Sequence, residues 1–207
     1  MHPNPAFRQT PEARSIAFAR SRGFGMLCLN GDAAPLISHV PFVLAETGTE
    51  ARLHLVRSNL IAGVVEAPTS AVIAVTGPDS YISPDWYGDP AQVPTWNYVA
   101  VHLRGQIEPL PQEALRADLD LLSAHFESRL APKPEWTAEK MPPEALDRMM
   151  RMIRPFRFSL TQIDGTWKLN QNKPDALRLA AAEAVARSGQ GVEIEQLAQL
   201  MAAIPSS

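Results

Sequence analysis

A chain of 207 residues, of which 45% are hydrophobic and 20% charged, is long enough to bury a sizeable core in one domain. The formal net charge of −3 argues against a protein that wraps nucleic acid through its overall field. Cys28 is the single cysteine, which excludes an intrachain disulfide and cysteine-rich metal sites. No apolar stretch reaches the about 18 residues of a membrane helix, and residues 1–8 lack a leader-like apolar segment, so we expect a soluble cytoplasmic protein.

The first third of the chain predicts one short helix followed by β-structure. Residues Pro11 to Arg22 place apolar side chains on one helical face. The next two segments, Met26 to Leu29 and Leu36 to Leu44, have the composition of strands joined by an Asn-Gly-Asp turn. Two more strands are predicted over Arg52–Arg57 and Thr69–Thr76.

The rest of the chain mixes a long loop, strands and helices. Residues 77–94 are rich in Gly, Pro, Asp and aromatic residues and predict a long ordered loop of a kind that often carries function. Strand patterns return at 97–107 and at 156–163, where Asp164-Gly165 predicts a turn before 167–169. Helical spacing is present in four segments: Pro111–Phe126, Pro142–Ile153, Asp175–Arg187 and Val192–Ile204.

The last two predicted helices flank Gly189-Gln-Gly191, an arrangement that can mimic a helix-turn-helix. Acidic residues outnumber basic ones in this tail, so DNA reading by it is weakly supported. The predicted class of the whole chain is α+β, mainly antiparallel β.

Familiar catalytic signatures are absent from the sequence: there is no nucleophile motif, zinc signature, P-loop or Rossmann glycine fingerprint. Polar and aromatic residues cluster instead at predicted strand ends and in the long loop. These clusters are Ser38-His39, His54 to Asn59, Tyr81 to Tyr87, Pro94 to Tyr98 with His102, and Trp167 to Lys173. They indicate a polar-aromatic cleft, and no catalytic residue or metal ligand is assigned.

Three of these blocks resemble characteristic motifs of the PaiB-type family of FMN-binding negative transcriptional regulators. The blocks are Gly77-Pro-Asp-Ser-Tyr-Ile-Ser-Pro-Asp-Trp-Tyr87, Val93-Pro-Thr-Trp-Asn-Tyr-Val-Ala-Val-His102 and Lys168-Leu-Asn-Gln-Asn-Lys173. The resemblance extends over residues 1–187, with Asn170 where serine is usual and Leu60 where proline is expected.

The resemblance implies an FMN-binding split β-barrel with peripheral helices and a C-terminal helical tail, related to pyridoxamine-phosphate oxidases and flavin reductases. It also implies a homodimer in which each FMN lies between two subunits. Residues 1–174 are then the FMN-binding split-barrel domain, and residues 175–207 are its helical extension.

The chemistry of FMN selects the candidate cofactor-binding residues. Its phosphate needs cationic and neutral donors, for which Arg57, Lys168 and Ser58 are candidates. His54 lies three residues from Arg57, an odd step that places the two on opposite faces of a regular strand, so they share a site only at a bulge or a strand end. The isoalloxazine ring needs apolar walls and amide-type partners at its polar edge. Candidate walls are Tyr81, Trp86 and Trp96; candidate edge partners are Asn59, Asn97 and Gln171; Thr95 completes the set.

For some of these residues a purely structural role is an alternative to a cofactor contact. Trp96 and Trp167 suit a core or a dimer interface as well as they suit a flavin contact. Histidines in strands, here His39 and His102, are more often satisfied structural residues than ligands.

Three functions remain open from the sequence. The first is a PaiB-like negative regulator that binds DNA. The second is a flavin-dependent oxidoreductase or flavin reductase that uses NAD(P)H, in which the flavin itself carries the redox chemistry. The third is a haem-binding or haem-degrading protein with His39, His54 or His102 as axial ligand. The resemblance favours the first.

Overall fold

The computed structural model describes residues 1–89 and 91–205. The α-helices in this part of the chain are α1 (Glu12–Arg22), α2 (Leu60–Val64), α3 (Leu115–Glu127), α4 (Pro143–Met150), α5 (Asp175–Ser188) and α6 (Ile194–Ala202). The strands are β1 (Phe24–Leu29), β2 (Leu36–Pro41), β3 (Val43–Leu44), β4 (Glu50–Val56), β5 (Thr69–Ile82), β6 (Thr95–Pro109), β7 (Ile153–Lys168) and β8 (Gly191–Val192). Within the described ranges, no helix combines the length and apolar character that a membrane crossing requires.

The strands form one sheet in the order β2-β1-β5-β6-β7-β4-β3, and β8 pairs with β5 outside this path. The predicted hairpin is present, because β1 and β2 pair antiparallel with Leu29 opposite Leu36. Strand β1 also pairs antiparallel with β5, β4 with β3 and β7, and β5 with β8. Together with the helices, this sheet confirms the predicted α+β class.

Packing divides the chain into two compact units, each made of discontinuous segments. Unit 1 comprises residues 1–15, 76–101 and 164–207, and unit 2 comprises residues 16–75 and 102–163. The predicted division into a domain over residues 1–174 and an extension over residues 175–207 stays a prediction.

In unit 2, helix α3 covers one face of β4. Alternate residues of β4 point to opposite faces, so that Leu53 is buried in the core while Arg52 and His54 lie half-buried on the other face. Helix α3 packs against β3 and β4, and its residues Asp118 and Leu122 are buried. A polar cluster is therefore enclosed between a strand and a helix.

The predicted long loop at 77–94 is shorter in the structure, because β5 continues to Ile82. The end of β5 pairs with β8, with Asp79 opposite Val192. The hydroxyl of Ser80 also donates to the carbonyl of Gln190 at 2.7 Å. The partner that keeps residues 77–82 in a strand lies more than a hundred residues away in sequence, where a local pattern cannot reveal it.

The predicted turn at Asp164-Gly165 is wrong, since β7 runs without interruption from Ile153 to Lys168. A Cβ atom on Gly165 would lie 2.5 Å from the hydroxyl oxygen of Ser15. The carboxylate of Asp164 forms an ion pair with Arg8 at 3.3 Å. The glycine permits a close approach of side chains to the strand, and it does not mark a reversal of the chain.

Gly105→Ala is expected to destabilise the protein by about 1–3 kcal/mol or more, because overpacked sites have costs of this order. The new Cβ would lie 2.0 Å from the carbonyl oxygen of Ser159, a backbone atom that cannot move aside alone. The urea midpoint of unfolding measures the loss. Gly63→Ala is the control, since a Cβ there meets nothing within 4 Å. An unchanged midpoint for Gly105→Ala, or equal losses in the two variants, would contradict this interpretation.

Candidate functional site

The residues predicted to contact FMN are distributed over both units. Those in unit 2 are His54, Arg57, Ser58 and Asn59. Those in unit 1 are Tyr81, Trp86, Thr95, Trp96, Asn97, Lys168 and Gln171.

Arg57 follows the last residue of β4 and is exposed, as is Ser58 beside it. Its guanidinium donates through Nε to the carbonyl of Arg151 at 2.8 Å and through Nη2 to Oε1 of Gln112 at 2.6 Å. The side-chain amide of Gln112 in turn donates to backbone carbonyls close to Arg151. Arg57 therefore ties the end of β4 to two other segments, a structural use in addition to the predicted phosphate contact.

Asn59 and His54 also have contacts inside unit 2. Oδ1 of Asn59 accepts from the backbone N–H of Ile61 at 2.9 Å, which caps α2, and Nδ2 donates to Ser38 at 2.9 Å. Nδ1 of His54 is buried without a hydrogen-bond partner among the described residues. Burial lowers the pKa of His54, and the nearby Asp118 carboxyl opposes this only in part. His54 is consequently neutral at pH 7 and adds no positive charge, and its contact with FMN stays a prediction.

In unit 1, two lysines converge on one small pocket of about 190 Å³, which we call the lysine pocket. Its lining includes Phe7, Tyr87, Thr95, Lys168, Asn170 and Lys173, and no carboxylate lines it among the described residues. Nζ of Lys168 donates to the hydroxyl of Thr95 and, at 2.7 Å, to the carbonyl of Trp96. Nζ of Lys173 donates to Oε1 of Gln92. The hydrogen-bond acceptors that hold these ammonium groups are thus neutral.

A tight turn after β7 brings the two lysines together. Asn170 has a φ of 62°, a left-handed conformation that asparagine tolerates better than most residues, and the N–H of Lys173 donates to its carbonyl at 2.9 Å. Gln171 accepts from the N–H of Leu169 at 2.8 Å and donates to the carbonyls of Trp167 and Ala6 at 2.6 and 3.1 Å. The amide of Gln171, predicted to reach the flavin edge, therefore stabilises the turn.

The electrostatics of the lysine pocket favour an anion. Burial lowers the pKa of Lys168, and the positive charge of Lys173 lowers it further. Burial raises the pKa of Tyr87, and a 3.0 Å hydrogen bond from Nδ2 of Asn170 to the phenol oxygen opposes that rise. Each ammonium also lies over an aromatic ring, Lys168 over Phe7 at 5.8 Å and Lys173 over Tyr87 at 5.6 Å. An anion between the two cations would relieve their repulsion and the cost of burying Lys168.

The predicted ring walls meet in an aromatic patch formed by Tyr81, Trp86 and Trp96. The ring of Tyr81 packs edge-to-face against Trp86 and Trp96, with centroid distances of 6.4 and 6.2 Å. Trp96 is 50% exposed and lines a separate pocket of about 270 Å³. Because neighbouring residues of a strand point to opposite faces, Thr95 lines the lysine pocket while Trp96 points away from it.

Asn97 lies beneath α6, at neither the lysine pocket nor the aromatic patch. Its side chain is fully buried, and Nδ2 donates to the sulfur of Met201 at 3.5 Å. Oδ1 has no hydrogen-bond partner among the described residues. Its predicted contact with the flavin edge is not supported by this position.

Of the residues that line the lysine pocket, Lys168 and Thr95 were predicted from the sequence and the others were missed, among them Tyr87, Asn170 and Lys173. These three lie in the quoted motif blocks. Lys173 could have been identified from the sequence, because it is a second basic residue in the same short block as Lys168.

Comparisons with known proteins agree with a flavin-related fold. Residues 1–162 match a family model described as "Putative FMN-binding domain". The chain is 25% identical over 200 residues to "Protease synthase and sporulation protein PAI 2" of Bacillus subtilis, and the match covers 95% of each chain.

Among solved structures, the FAD and Heme binding protein from Mycobacterium smegmatis is similar with a TM-score of 0.56 and 16% identity, over 78% of this chain and 73% of that one. The conserved hypothetical protein Rv2991 from Mycobacterium tuberculosis is similar with a TM-score of 0.54 and 16% identity, over 82% of this chain and 92% of that one. These likenesses concern the fold, and they confirm the predicted split β-barrel.

Proposed function

This chain belongs to the family described as "Putative FMN-binding domain", and from that membership we propose that it binds FMN with the phosphate in the lysine pocket. The family predicted from the sequence motifs is confirmed by this membership and by the match to PAI 2 over nearly the whole chain. The choice of FMN over FAD is part of the proposal.

The observation that carries the proposal is the pair Lys168 and Lys173 in a pocket lined by no carboxylate among the described residues. A phosphate close to a dianion suits two ammonium groups together with the neutral side chains of Thr95 and Asn170. Pockets that enclose whole ligands measure about 300–1,000 Å³. At about 190 Å³, the lysine pocket fits the phosphate end of FMN and not the whole cofactor. Bound FMN would supply redox chemistry that the protein side chains lack.

We also propose a homodimer in which each FMN lies between two subunits. The aromatic patch supports this, because Trp96 is half exposed and tryptophan is enriched at protein interfaces. Light scattering after size-exclusion chromatography tests it, and twice the chain mass is the expected result. A mass of one chain for the FMN-loaded protein would contradict it.

The first test of FMN binding is the visible spectrum of protein purified without added cofactor, repeated on the supernatant after heat denaturation. Two flavin bands released on unfolding are expected. Binding measurements with FMN and riboflavin should show FMN bound at least about tenfold more tightly, since the two differ only in the phosphate. A Soret band would support the haem alternative, and a colourless protein that fails to take up FMN would contradict the proposal.

Regulation is the second part of the proposed function: an FMN-loaded dimer that acts as a PaiB-like negative transcriptional regulator in the cytoplasm. Family membership supports this, whereas the acidic net charge makes non-specific attraction to DNA weak. A gel shift with upstream DNA at several salt concentrations tests it, and a sequence-specific complex that withstands competitor DNA is expected. Binding to any sequence that disappears with added salt would contradict the regulatory role, and steady oxidation of NAD(P)H would favour the oxidoreductase alternative.

Arg57→Ala is expected to weaken FMN retention while leaving the fold intact, because the exposed guanidinium of Arg57 was predicted from the sequence to attract the anionic cofactor. The dissociation constant of FMN and the unfolding temperature are the measurements. Gln112→Ala is the matched control, since it removes a hydrogen-bond partner of Arg57 and keeps the guanidinium charge. Unchanged FMN affinity in Arg57→Ala, or an equal loss in both variants, would contradict the phosphate role.

A further inference from the structure

A second pocket, the α3 groove, lies in unit 2 between α3 and the β3–β4 hairpin. Its volume is about 620 Å³, which is within the about 300–1,000 Å³ typical of small-molecule sites. Val43, Leu44, Ala117 and Leu121 provide an apolar surface along it. None of its lining residues belongs to the lysine pocket or the aromatic patch.

Asp118 lines the α3 groove and is a buried carboxyl with one of its two oxygens unpartnered. The residue is 5% exposed, and Oδ1 lies 3.5 Å from Nη1 of Arg52. Oδ2 has no hydrogen-bond partner among the described residues. Arg52 is closer to Glu50, at 3.2 Å, so its charge is shared between two carboxylates. Buried polar atoms are nearly always hydrogen-bonded, and an exception is a sign of a missing partner.

The charges around the groove identify which partner is missing. Glu46, Glu50 and Asp118 carry carboxylates, whereas Arg20 and Arg52 carry the guanidinium groups of the lining. Arg20 already donates to the carbonyl of Leu44 at 3.1 Å and to Glu46 at 3.2 Å. Both arginines are therefore engaged, and the acidic side chains of the lining outnumber its guanidinium groups by three to two.

The remaining titratable group of the lining, His125, adds no positive charge. Burial lowers its pKa, and Arg129 lowers it further, so the imidazole is neutral at pH 7. Both guanidinium groups of the lining are already paired with acidic side chains, so the lining favours a cationic ligand over an anionic one.

We propose that the α3 groove binds a small amphipathic amine, with the ammonium beside the carboxyl of Asp118 and the apolar body against Leu44 and Leu121. The terminal torsion of an aspartate is broad, so the carboxyl can rotate to bring an oxygen toward the ligand, at the expense of part of its contact with Arg52. None of the residues that line this site is among the predicted FMN contacts, so its test does not depend on FMN binding.

The test uses FMN-loaded protein with labelled methyl groups and three probes of equal chain length: hexylamine, 1-hexanol and hexanoate, at pH 7. Hexylamine is expected to shift the methyl signals of Val43, Leu44 and Leu121, and to bind at least about tenfold more tightly than 1-hexanol. Hexanoate is expected not to bind.

Asp118→Asn keeps the shape of the side chain and is expected to abolish the preference for hexylamine over 1-hexanol. Asp120→Asn, an exposed residue of the same helix paired with Arg116, is expected to keep it. Ala117→Phe fills the groove and is expected to lose hexylamine binding with FMN affinity unchanged, a second variant in case Asp118→Asn folds poorly.

Equal binding of hexylamine and 1-hexanol, or undiminished hexylamine binding by both groove variants, would overturn the proposal. So would a failure of hexylamine to shift any of the three methyl signals. If the methyl signals shift with protein concentration and not with hexylamine, a second copy of the chain covers the groove. That result would also overturn the proposal.

Discussion

Lys168→Met and Lys173→Met are each expected to weaken FMN binding about 10- to 100-fold, since a hydrogen bond to a charged group contributes about 1.5–3 kcal/mol. Lys168 should have the larger effect, because burial lowers the pKa of its ammonium, which an anion would stabilise, and because it donates to both Thr95 and Trp96. Fluorescence titration of flavin into the apoprotein measures both dissociation constants.

Riboflavin distinguishes a phosphate contact from a general loss of structure. It lacks the phosphate, so its affinity should change little in either lysine variant. Lys140→Met is the control, because Lys140 is an exposed lysine of unit 2 whose Nζ donates to the backbone carbonyl of Glu135. If riboflavin lost as much affinity as FMN, or if FMN affinity were unchanged, the lysine pocket would not be the phosphate site.

The lowered pKa of Lys168 also predicts a pH dependence. In the protein without ligand, burial makes the charged form of Lys168 less stable than it is in the unfolded chain. This destabilisation of the folded protein is complete below the lowered pKa and disappears as the pH rises toward 10.5. A bound phosphate stabilises the ammonium and raises its pKa, so FMN binding takes up a proton in the interval between the two values. FMN affinity is therefore expected to fall as the pH rises through the lowered pKa, and to fall less in Lys168→Met. A pH profile identical in the two proteins would contradict this.

Much of the fold could be predicted because the relevant signals are local. The β1–β2 hairpin and helix α3 follow from composition, turn residues and periodicity within short windows. The end of β5 and the Asp164-Gly165 segment could not be predicted, because their partners come from distant segments. Ser80 bonds to the carbonyl of Gln190, and Gly165 lies against Ser15.

The same distinction applies to the candidate site. Residue type was sufficient to select Lys168, since a phosphate needs a cationic hydrogen-bond donor. Gln171 and Asn97 also have a residue type that suits a flavin contact. Their side-chain amides instead donate to residues far away in sequence, Gln171 to the carbonyl of Ala6 and Asn97 to the sulfur of Met201. The role of Lys173 depends on the left-handed conformation of Asn170, which sequence periodicity does not reveal.

Arg178→Met is expected to destabilise the C-terminal helix pair by about 3 kcal/mol, the lower end of the range for removing one member of a buried ion pair. Arg178 is 2% exposed, and its Nη2 lies 2.7 Å from Oδ1 of Asp175. Its Nη1 donates to the carbonyl of Met201, which joins α5 to α6. The estimate is at the lower end because the side chain of Asp175 is 34% exposed and can be solvated when its partner is lost.

Urea unfolding of Arg178→Met, followed by circular dichroism and tryptophan fluorescence, also tests whether residues 175–207 are an extension of the same domain. If they are, both signals should shift together to lower urea, because one cooperative transition includes the helix pair. An early transition seen only by circular dichroism, with FMN affinity unchanged, would mean that the helix pair unfolds by itself and that the extension is a separate folding unit.

Arg187→Met, on the exposed side of α5 and paired with Glu183, is the control, and an exposed pair of this kind should contribute about 0–1 kcal/mol. Equal midpoints for the two variants would show that the buried position of Arg178 does not stabilise the helix pair.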